Sequence, residues 1–458
     1  MNIVNYLLTS IVAWMAWIII PFLMEILPVC FGFIILLKKK IRKSKLHQEI
    51  KYLPEISLII PVYNSEDSLK GCIQSVHDSN YPNELINVLL VNNESKDGSF
   101  QIFTECQKEY KELNMVWLNA RQGKSKALNY ALFNSNGKYI IHIDSDGQLH
   151  PDALRNLVTE FELDDTIDCT TGTILTNPEL IEKTKGFAKR FFRKIEFFEY
   201  CQAFLAGRNF ESEFNSIYTV SGAFSAFRKS TILKTNLYNT DTICEDTHIT
   251  FQVRDVLKKK VNLCETAFFY VDPIEDINRL YTQRQRWQRG EIEVVHMFNK
   301  RKQEKAKKSL SNCVIQVIMF DHTFAFPRMI WYFALICLGF MNYSFKLIIG
   351  SVCLIYVLYV LSTFLYYINI SLILKPYKPI QKYYMRKWYM VFILPLYNFV
   401  IFWFRFAGMI NAIKGAQTWQ TRDLTAEKQE FLRIVSKDFL WFTTAIKKLG
   451  DLVNKDEE

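Results

Sequence analysis

The chain has 458 residues, of which 50% are hydrophobic and 15% aromatic, and these values exclude one ordinary soluble domain. The net charge of +10 lies largely in basic runs beside apolar segments, which favours anionic lipid headgroups over nucleic acid as partners. The ten cysteines are scattered without a Cys-x-x-Cys pair, which argues against a disulfide framework or a zinc site and fits a reducing cytoplasm.

The first predicted element is a membrane span near the N-terminus. Residues 6–37 form an apolar run in which Glu25 is the single charge, and the basic sequence KKKIRKSK follows it. About 20 apolar residues suffice to cross a bilayer. A cleaved signal peptide is the weaker alternative, because the run is long and lacks a small-residue cleavage site. We assign residues 1–40 to a transmembrane segment, after which the chain enters the cytoplasm.

Residues 52–290 have the composition of a soluble domain and alternate strand-like with helix-like stretches. The runs ISLIIPVYN, NVLLVNNES and KYIIHIDSDG are typical of strands, and SEDSLKGCIQSVHD between the first two is typical of a helix. This order predicts an α/β fold with a doubly wound, mostly parallel sheet. Its ligand should lie beyond the carboxyl ends of the strands.

Two carboxylates follow the third of these strands. Asp144 and Asp146 stand two residues apart before Gly147. Oxygen ligands at a strand end suit Mg²⁺ or Mn²⁺ shared with a diphosphate, since these ions keep positions open for substrate phosphates. A solvated Asp-Ser-Asp-Gly turn is the alternative from these residues alone.

A basic and aromatic stretch follows at residues 185–207, with the sequence KGFAKRFFRKIEFFEYCQAFLAG. This pattern predicts either a helix at the membrane interface or a helix in the buried core.

Another acidic pair opens a predicted helix in TDTICEDTHITFQV. Asp246, with Glu245 beside it, has two interpretations. One is a general base that takes a proton from an attacking hydroxyl. The other is a helix N-cap, which is the stronger interpretation when the segment is considered alone.

The stretch YTQRQRWQRG near residue 281 combines amide, guanidinium and indole side chains. Arg284 and Arg286 offer forked donors that match phosphate oxygens, and Gln283 offers an amide. Trp287 offers a flat apolar face suited to a sugar ring. The alternative is an amphipathic basic helix on a membrane surface.

Apolar runs return beyond residue 310, at about 313–340, 346–374 and 388–413. The basic sequence KPYKPIQKYYMRK between the last two should be cytoplasmic. The last run either crosses the membrane or lies at its interface, since Pro395 and Arg405 permit both. We assign residues 291–420 to interfacial and transmembrane helices and residues 421–458 to a helical tail.

Taken together, these motifs carry a family resemblance. In chain order they are Pro61-Val-Tyr63-Asn64, Asp97, QGKSKALN, Asp144-x-Asp146, VSGAFSAFR, Glu245-Asp246 and Gln283-Arg284-Gln285-Arg286-Trp287. The set resembles the family 2 inverting glycosyltransferases, in particular the processive membrane synthases of cellulose, hyaluronan and poly-N-acetylglucosamine. A late TWQTR, with Trp419, Thr421 and Arg422, is similar to a cytoplasmic motif of some of these synthases.

The resemblance implies a GT-A-like fold and a role for each matching residue. Donor binding falls to Pro61, Tyr63, Asn93, Asp97, Lys124 and Asp144, and the Mg or Mn ion to Asp144 and Asp146. Asp246 would be the catalytic base. The departing diphosphate would contact Gln283, Arg284 and Arg286, and the acceptor would contact Trp287 and Glu245. One departure is Asn92-Asn93-Glu94-Ser95, where many members have two aspartates followed by Gly and Ser.

The resemblance also implies a hexosyltransferase that extends a polysaccharide from a nucleotide sugar, with UDP as the expected carrier, and exports the polymer. It implies a multi-pass bacterial plasma-membrane protein with a cytoplasmic catalytic domain. The expected partners are the donor, a growing glycan or lipid-linked acceptor, membrane lipids and an accessory synthase subunit, without nucleic acid. Transfer of one sugar to a lipid carrier and an inactive membrane partner that retains the fold are the alternatives.

Overall fold

A mixed eight-stranded sheet forms the centre of the soluble part of the molecule. The computed structural model describes residues 19, 22–44, 52–303, 325–340 and 345–413, and the single positions 425, 427 and 429. The strands are β1 (Ile56–Val62), β2 (Ile86–Asn92), β3 (Asn114–Asn119), β4 (Tyr139–Ile143), β5 (Gly147–Leu149), β6 (Ile167–Thr176), β7 (Phe224–Arg228) and β8 (Lys260–Val271).

The strand order is β3-β2-β1-β4-β7-β6-β8-β5. The first four strands are parallel, as the sequence predicts. Strand β7 then runs antiparallel to both β4 and β6, and β5 runs antiparallel to β8. Because the chain adds β2 and β3 on one side of β1 and β4 on the other, the order reverses between β1 and β4. Ligands of open α/β sheets bind outside the carboxyl ends of the strands at such a reversal.

Fifteen helices are described around and beyond this sheet. They are α1 (Leu27–Ser44), α2 (Leu69–His77), α3 (Ser99–Glu109), α4 (Lys124–Phe133), α5 (Ala153–Leu163), α6 (Pro178–Lys183), α7 (Phe187–Tyr200), α8 (Arg208–Glu213), α9 (Lys229–Ile232), α10 (Glu245–Phe251), α11 (Ile277–Gln303), α12 (Ala325–Phe340), α13 (Phe345–Ile373), α14 (Lys378–Met385) and α15 (Met390–Ile413). Single π-helical segments occur at Phe22–Ile26, Cys201–Gly207 and Gln252–Val256, and a 3₁₀ turn at Asn83–Leu85.

Helices cover both faces of the sheet, which explains why its central strands are buried. Every residue of β4 and of β6 is buried. Helix α5 packs on the sheet through Leu154, Leu157, Val158 and Phe161, all buried, at the i, i+3, i+4, i+7 spacing of one helix face. Truncating one such leucine to alanine typically costs about 2–5 kcal/mol.

Helix α7 joins the soluble domain to the C-terminal helices. Phe187 at its start is 84% exposed, whereas Phe197 and Phe198 near its end are buried. The ring of Phe198 stacks on Tyr384 of α14 with 4.4 Å between centroids. The buried-core interpretation of residues 185–207 is therefore confirmed for the second half of this helix.

Two of the described helices are long and apolar enough to cross a membrane. They cover Ile348–Ile373 and Met390–Asn411, with mean hydropathies of 2.3 and 1.7. The N-terminal span stays a prediction, because most of residues 6–37 before α1 and all of residues 1–18 lie outside the described part. The motif TWQTR and most of the predicted tail also lie outside it, as does the stretch 304–324.

The basic end of α1 packs on the soluble domain. Lys39 is 6% exposed, and its ammonium lies 2.9 Å from the Glu213 carboxylate and donates to Asn209 over 2.7 Å. Arg42 contacts the same carboxylate at 3.2 Å. Lys39 and Arg42 belong to the basic run from which we predict a cytoplasmic location. In the structure both form ion pairs with Glu213 that hold α1 against α8.

Candidate active site

The crevice between β1 and β4 begins with an exposed aromatic ring. Tyr63 directly follows β1, is 49% exposed, and accepts a hydrogen bond from the Gln122 amide at 3.4 Å. Pro61 pairs with Val91 inside the sheet and holds the end of β1 in place. An exposed ring at this edge offers a flat surface for a nucleobase.

Two of the predicted donor-binding residues organise the loops around this ring. The Asn93 side-chain oxygen accepts a hydrogen bond from the Gly123 backbone at 2.6 Å, which ties the end of β2 to the start of α4. Asp97 accepts from the Ser99 hydroxyl at 2.6 Å and from the Glu66 backbone at 2.9 Å. Partial burial opposes its ionisation, but these hydrogen bonds outweigh that effect and lower the pKa of Asp97.

Lys124 at the start of α4 is the central cation of the site. Its ammonium lies 2.5 Å from Asp144 and 3.8 Å from Glu245, and it donates to the Gly222 carbonyl over 3.1 Å. Burial opposes the charge on both partners, yet their mutual attraction raises the pKa of Lys124 and lowers the pKa of Asp144. Both groups are therefore charged at neutral pH.

The pKa of Asp146, two residues beyond Asp144, is shifted in the opposite direction. Burial and the neighbouring Asp144 charge raise the pKa of Asp146 to about 6. A carboxylate disfavoured in this way gains from a bound cation, so the pair fits a divalent ion. Within the described ranges, no cluster of three or more His, Cys, Asp or Glu side chains could hold a metal by itself. Two carboxylates leave most coordination positions of such an ion open.

Asp246 faces the same crevice from α10. It is the second residue of that helix, behind Glu245, and the N-cap position belongs to Cys244. The N-cap interpretation of Asp246 is therefore wrong, since its Oδ1 instead accepts from the Thr247 backbone at 2.7 Å. Its other oxygen lies against Gly222, where an added Cβ would come within 2.9 Å.

Glu245 is almost completely buried beside this base candidate. Burial raises the pKa of Glu245 to about 7, against the attraction of Lys124 and with help from the Asp246 charge. Asp144, Asp146, Glu245 and Asp246 thus all interact with the Lys124 charge, and Arg208 is a second cation that interacts with Asp246. This excess of negative charge is what a divalent cation would offset.

Helix α11 carries the Gln-Arg-Gln-Arg-Trp motif and packs on the loop before α10. The contact is close at Gly290, where an added Cβ would lie 2.0 Å from the Cys244 sulfur. Arg286, one turn earlier, is exposed, and Trp287 is half-buried against the sheet core. The glycine therefore lets the helix bring Arg286 and Trp287 to the side of the crevice that Asp246 lines.

Arg284 of the same motif is fully buried. Its guanidinium donates to Glu199 over 2.7 Å and to Gln283 over 2.9 Å, and it lies 4.3 Å from the Trp287 ring centroid. Glu196 is buried in the same region, and burial raises the pKa of Glu196 to about 8 although Arg284 opposes this. In this structure the Arg284 donors serve a buried ion pair, while the Arg286 side chain reaches solvent.

Comparison with known proteins gives a family likeness for part of the chain. Residues 57–233 match the family model described as glycosyl transferase family 2. The likeness to this family covers the region from β1 to the end of α9. The site built above lies partly inside this region and partly in α10 and α11, directly after it.

Two curated relatives and one solved structure show how far the likeness extends. A poly-beta-1,6-N-acetyl-D-glucosamine synthase of Staphylococcus epidermidis is 25% identical over 54% of this chain and 57% of its own length. A probable glycosyltransferase of Bacillus subtilis is 28% identical over 56% and 59%. The chain thus spans little more than half the length of these relatives. A mannosyltransferase from Pyrobaculum calidifontis, solved with GDP-Man and Mn²⁺, is 16% identical, covers 84% of this chain and 98% of its own, and has a TM-score of 0.52. This likeness shows the GT-A-like fold.

The structure brings several of the residues that the sequence singled out together around Lys124. Lys124, Asp144 and Glu245 are in contact, and Asp146 and Asp246 are close enough to shift the pKa values of these groups. Arg284 is turned toward Glu199. Sequence reasoning missed Glu199 and Gly290. The quoted motifs contain no signal for Glu199, whereas Gly290 stands three residues after the tryptophan of a helical motif, where a glycine indicates close packing.

Proposed function

We propose that the protein is an inverting membrane glycosyltransferase that extends a polysaccharide from a nucleotide sugar, with UDP as the expected carrier. The observation that carries the proposal is the group of acidic side chains around Lys124 at the sheet reversal. Asp144 comes from β4 and Asp246 from α10, so two distant segments present carboxylates to one crevice. The likeness to glycosyl transferase family 2 and the similarity to a poly-beta-1,6-N-acetyl-D-glucosamine synthase support the polysaccharide product.

The chemistry follows from the position of Asp246. This carboxylate would accept the proton of the acceptor hydroxyl while the hydroxyl oxygen forms a bond to the anomeric carbon of the donor. The bond from that carbon to the diphosphate oxygen breaks with its electron pair, and the nucleoside diphosphate leaves. A single displacement inverts the anomeric centre, and no second carboxylate is needed as nucleophile.

Asp144 and Asp146 would hold Mg²⁺ or Mn²⁺, and the bound ion would stabilise charge on the leaving diphosphate. Lys124 would keep Asp144 ionised before the ion arrives, because its ammonium already lies 2.5 Å away. Arg286, which is exposed on α11, is the better diphosphate ligand of the two motif arginines. Arg284 and Gln283, which are hydrogen-bonded to each other, would support the diphosphate site from behind Arg286.

Recognition of the two sugars and the base is assigned to the remaining residues. Tyr63 would stack on the base, with Pro61, Asn93 and Asp97 shaping its loop, as their contacts with neighbouring strands and loops support. Trp287 would stack on the acceptor sugar, and Glu245 would hydrogen-bond the acceptor from the base of the same crevice.

The membrane part completes the proposal. We propose a multi-pass protein of a bacterial plasma membrane with the catalytic domain in the cytoplasm, divided at residues 1–40, 52–290, 291–420 and 421–458. The two apolar helices α13 and α15 support membrane insertion. They would lie beside the catalytic domain, and the stacking of Phe198 of α7 on Tyr384 of α14 supports this placement. In this proposal the glycan is exported outward across the membrane, and an accessory synthase subunit binds the protein.

The first experiment measures nucleoside diphosphate release by the full chain in nanodiscs with Mg²⁺ or Mn²⁺. The donors are a panel of UDP-, GDP- and dTDP-sugars, and the product is sized on a gel. A long polymer from one UDP-sugar, lost in Asp246→Asn and Trp287→Ala, is the expected result. Lipid products that carry a single sugar would indicate transfer to a lipid carrier instead of polysaccharide synthesis. If no donor releases nucleoside diphosphate, a subunit is missing or the protein is an inactive relative.

A further inference from the structure

A carboxylate from the C-terminal segment reaches the back of helix α11. Glu427 accepts hydrogen bonds from the Tyr281 hydroxyl, from the Gln285 amide at 3.4 Å and from the Asn411 amide at 2.9 Å. Tyr281 is 4% exposed and Gln285 is 2% exposed. The three donors come from α11 and α15, and Glu427 lies after the end of both. We propose that Glu427 is a positioning residue that fixes the rotation of α11 and thereby the placement of Arg286 and Trp287.

The geometry of the helix explains how a contact at its back controls its front. Tyr281 and Gln285 are four residues apart, so they lie on one face. At about 100° per residue, Arg286 and Trp287 fall on either side of the opposite direction. A carboxylate that holds Tyr281 and Gln285 therefore sets the direction in which the other two side chains leave the helix.

The face held by Glu427 is also a place of close helix packing. An added Cβ at Gly408 of α15 would lie 3.0 Å from the Gln285 carbonyl oxygen, so the two backbones nearly touch there. One turn away, Arg405 donates to the Gln288 amide oxygen over 3.3 Å. Contacts of this kind allow little sliding of α11 along α15. Near Tyr281, at the start of α11, Glu427 supplies the directional hydrogen bonds.

Removal of the carboxylate would leave buried donors without an acceptor. Loss of one partner of a buried hydrogen bond costs the desolvation of the remaining group, typically about 1–3 kcal/mol. The strain would fall on α11, which can turn to expose Gln285 and Tyr281. A displacement of about 1 Å at a reacting group costs up to about a hundredfold in rate.

The test compares Glu427→Ala, Glu427→Gln, Tyr281→Phe and the double variant Glu427→Ala/Tyr281→Phe with Gln429→Ala in the full chain in nanodiscs. Gln429 is exposed in the same segment and serves as the matched control. One readout is hydrogen–deuterium exchange of the peptide that covers residues 277–290. The other is donor turnover, resolved into kcat and KM, with donor affinity measured separately by tryptophan quenching.

Glu427→Ala should raise exchange over residues 277–290 and lower kcat by about tenfold, with donor KM and affinity within twofold of the parent. Glu427→Gln should recover only part of both, because Tyr281 and Asn411 donate to different oxygens of the carboxylate and the glutamine amide keeps one acceptor oxygen. Tyr281→Phe should add little to Glu427→Ala, since both remove the same contact. Gln429→Ala should match the parent.

Two outcomes would overturn the proposal. One is exchange over residues 277–290 that does not change in Glu427→Ala, and the other is equal loss of kcat and donor affinity, as a general folding defect produces. The measurement of donor turnover rests on the proposed function, whereas the measurement of hydrogen–deuterium exchange does not. If the parent chain releases no nucleotide from any donor, the proposed function fails while exchange still decides the role of Glu427.

Discussion

The Lys124 ammonium lies 2.5 Å from the Asp144 carboxylate and joins the first turn of α4 to the end of β4. The pair is about a quarter exposed, so solvent screens part of its attraction. Its value is positional, because it keeps Asp144 ionised at the place where a cation and a diphosphate would bind.

Lys124→Met should weaken donor binding by about tenfold and destabilise the domain by about 1–3 kcal/mol, since Asp144 would remain partly buried without its cation. Isothermal titration with nucleoside diphosphate and Mn²⁺, together with thermal unfolding, measures the two effects. Lys126→Met, at an exposed position of the same helix, is the control and should change neither. Equal donor binding by both variants would remove Lys124 from the site.

Asp246→Asn should lower turnover by about 10²–10⁴-fold, the usual contribution of a general base, while donor affinity stays within twofold. The amide keeps the shape of the side chain and its hydrogen bond from Thr247, so folding should be unaffected. Asp241→Asn, at an exposed position before α10, is the control. Transfer retained by Asp246→Asn would show that another group takes the proton.

The two motif arginines should separate stability from catalysis. Arg284→Ala should lower the free energy of unfolding by about 3–5 kcal/mol, because it leaves Glu199 buried without its cation. Arg286→Ala should leave the melting temperature unchanged and lower kcat by about 10²-fold, as the loss of one well-placed charge donor does.

Thermal unfolding and initial rates on both variants check this division. The opposite pattern, with a stable but inactive Arg284→Ala, would return the diphosphate role to Arg284.

The raised pKa of Glu245 predicts a pH dependence of stability. Because burial raises this pKa to about 7, the folded protein holds a proton that the unfolded chain has already released above its ordinary value near 4.5. Stability from this group is complete at low pH and is lost as pH rises through 7. Glu245 should therefore add about 1 kcal/mol to the stability of the metal-free protein between pH 8 and pH 6.

Glu245→Gln should reduce the gain by about 1 kcal/mol and leave the part due to Glu196, whose pKa burial raises to about 8. Glu105→Gln at an exposed position should keep the whole gain. Asp146, whose pKa is raised to about 6, contributes in the same direction below that range. Melting curves of the three proteins at pH 6, 7 and 8 measure the effect. A pH dependence that is identical in the parent and Glu245→Gln would assign it to other groups.

Local patterns were sufficient to predict the part of the fold that carries the site. The apolar runs before Tyr63 and Asp144 end where β1 and β4 end, because strands buried on both faces consist largely of apolar residues, with Ser57 and His142 as the polar exceptions. The antiparallel β7 was hidden in VSGAFSAFR, since a five-residue strand has no period that reveals its direction.

Long-range packing accounts for the rest. Nothing in the motif distinguishes Arg284 from Arg286, and the difference arises only because α7 brings Glu199 to one of them. The N-cap interpretation of Asp246 failed because the N-cap is Cys244, two residues earlier, and a shift of two residues is below what propensity resolves. Glu427 stands 142 positions after Gln285, a separation that no local pattern bridges.

Helix α11 runs without a break from Ile277 to Gln303, a rod of about 40 Å. A fragment that stops at residue 290, as composition alone suggests, would sever this rod in mid-course. It would also remove Tyr397, which donates to Glu199, and Glu427, which accepts from Tyr281. Attempts to obtain residues 52–290 as a freestanding domain should therefore yield aggregates, and the C-terminal helices have to be kept through every purification.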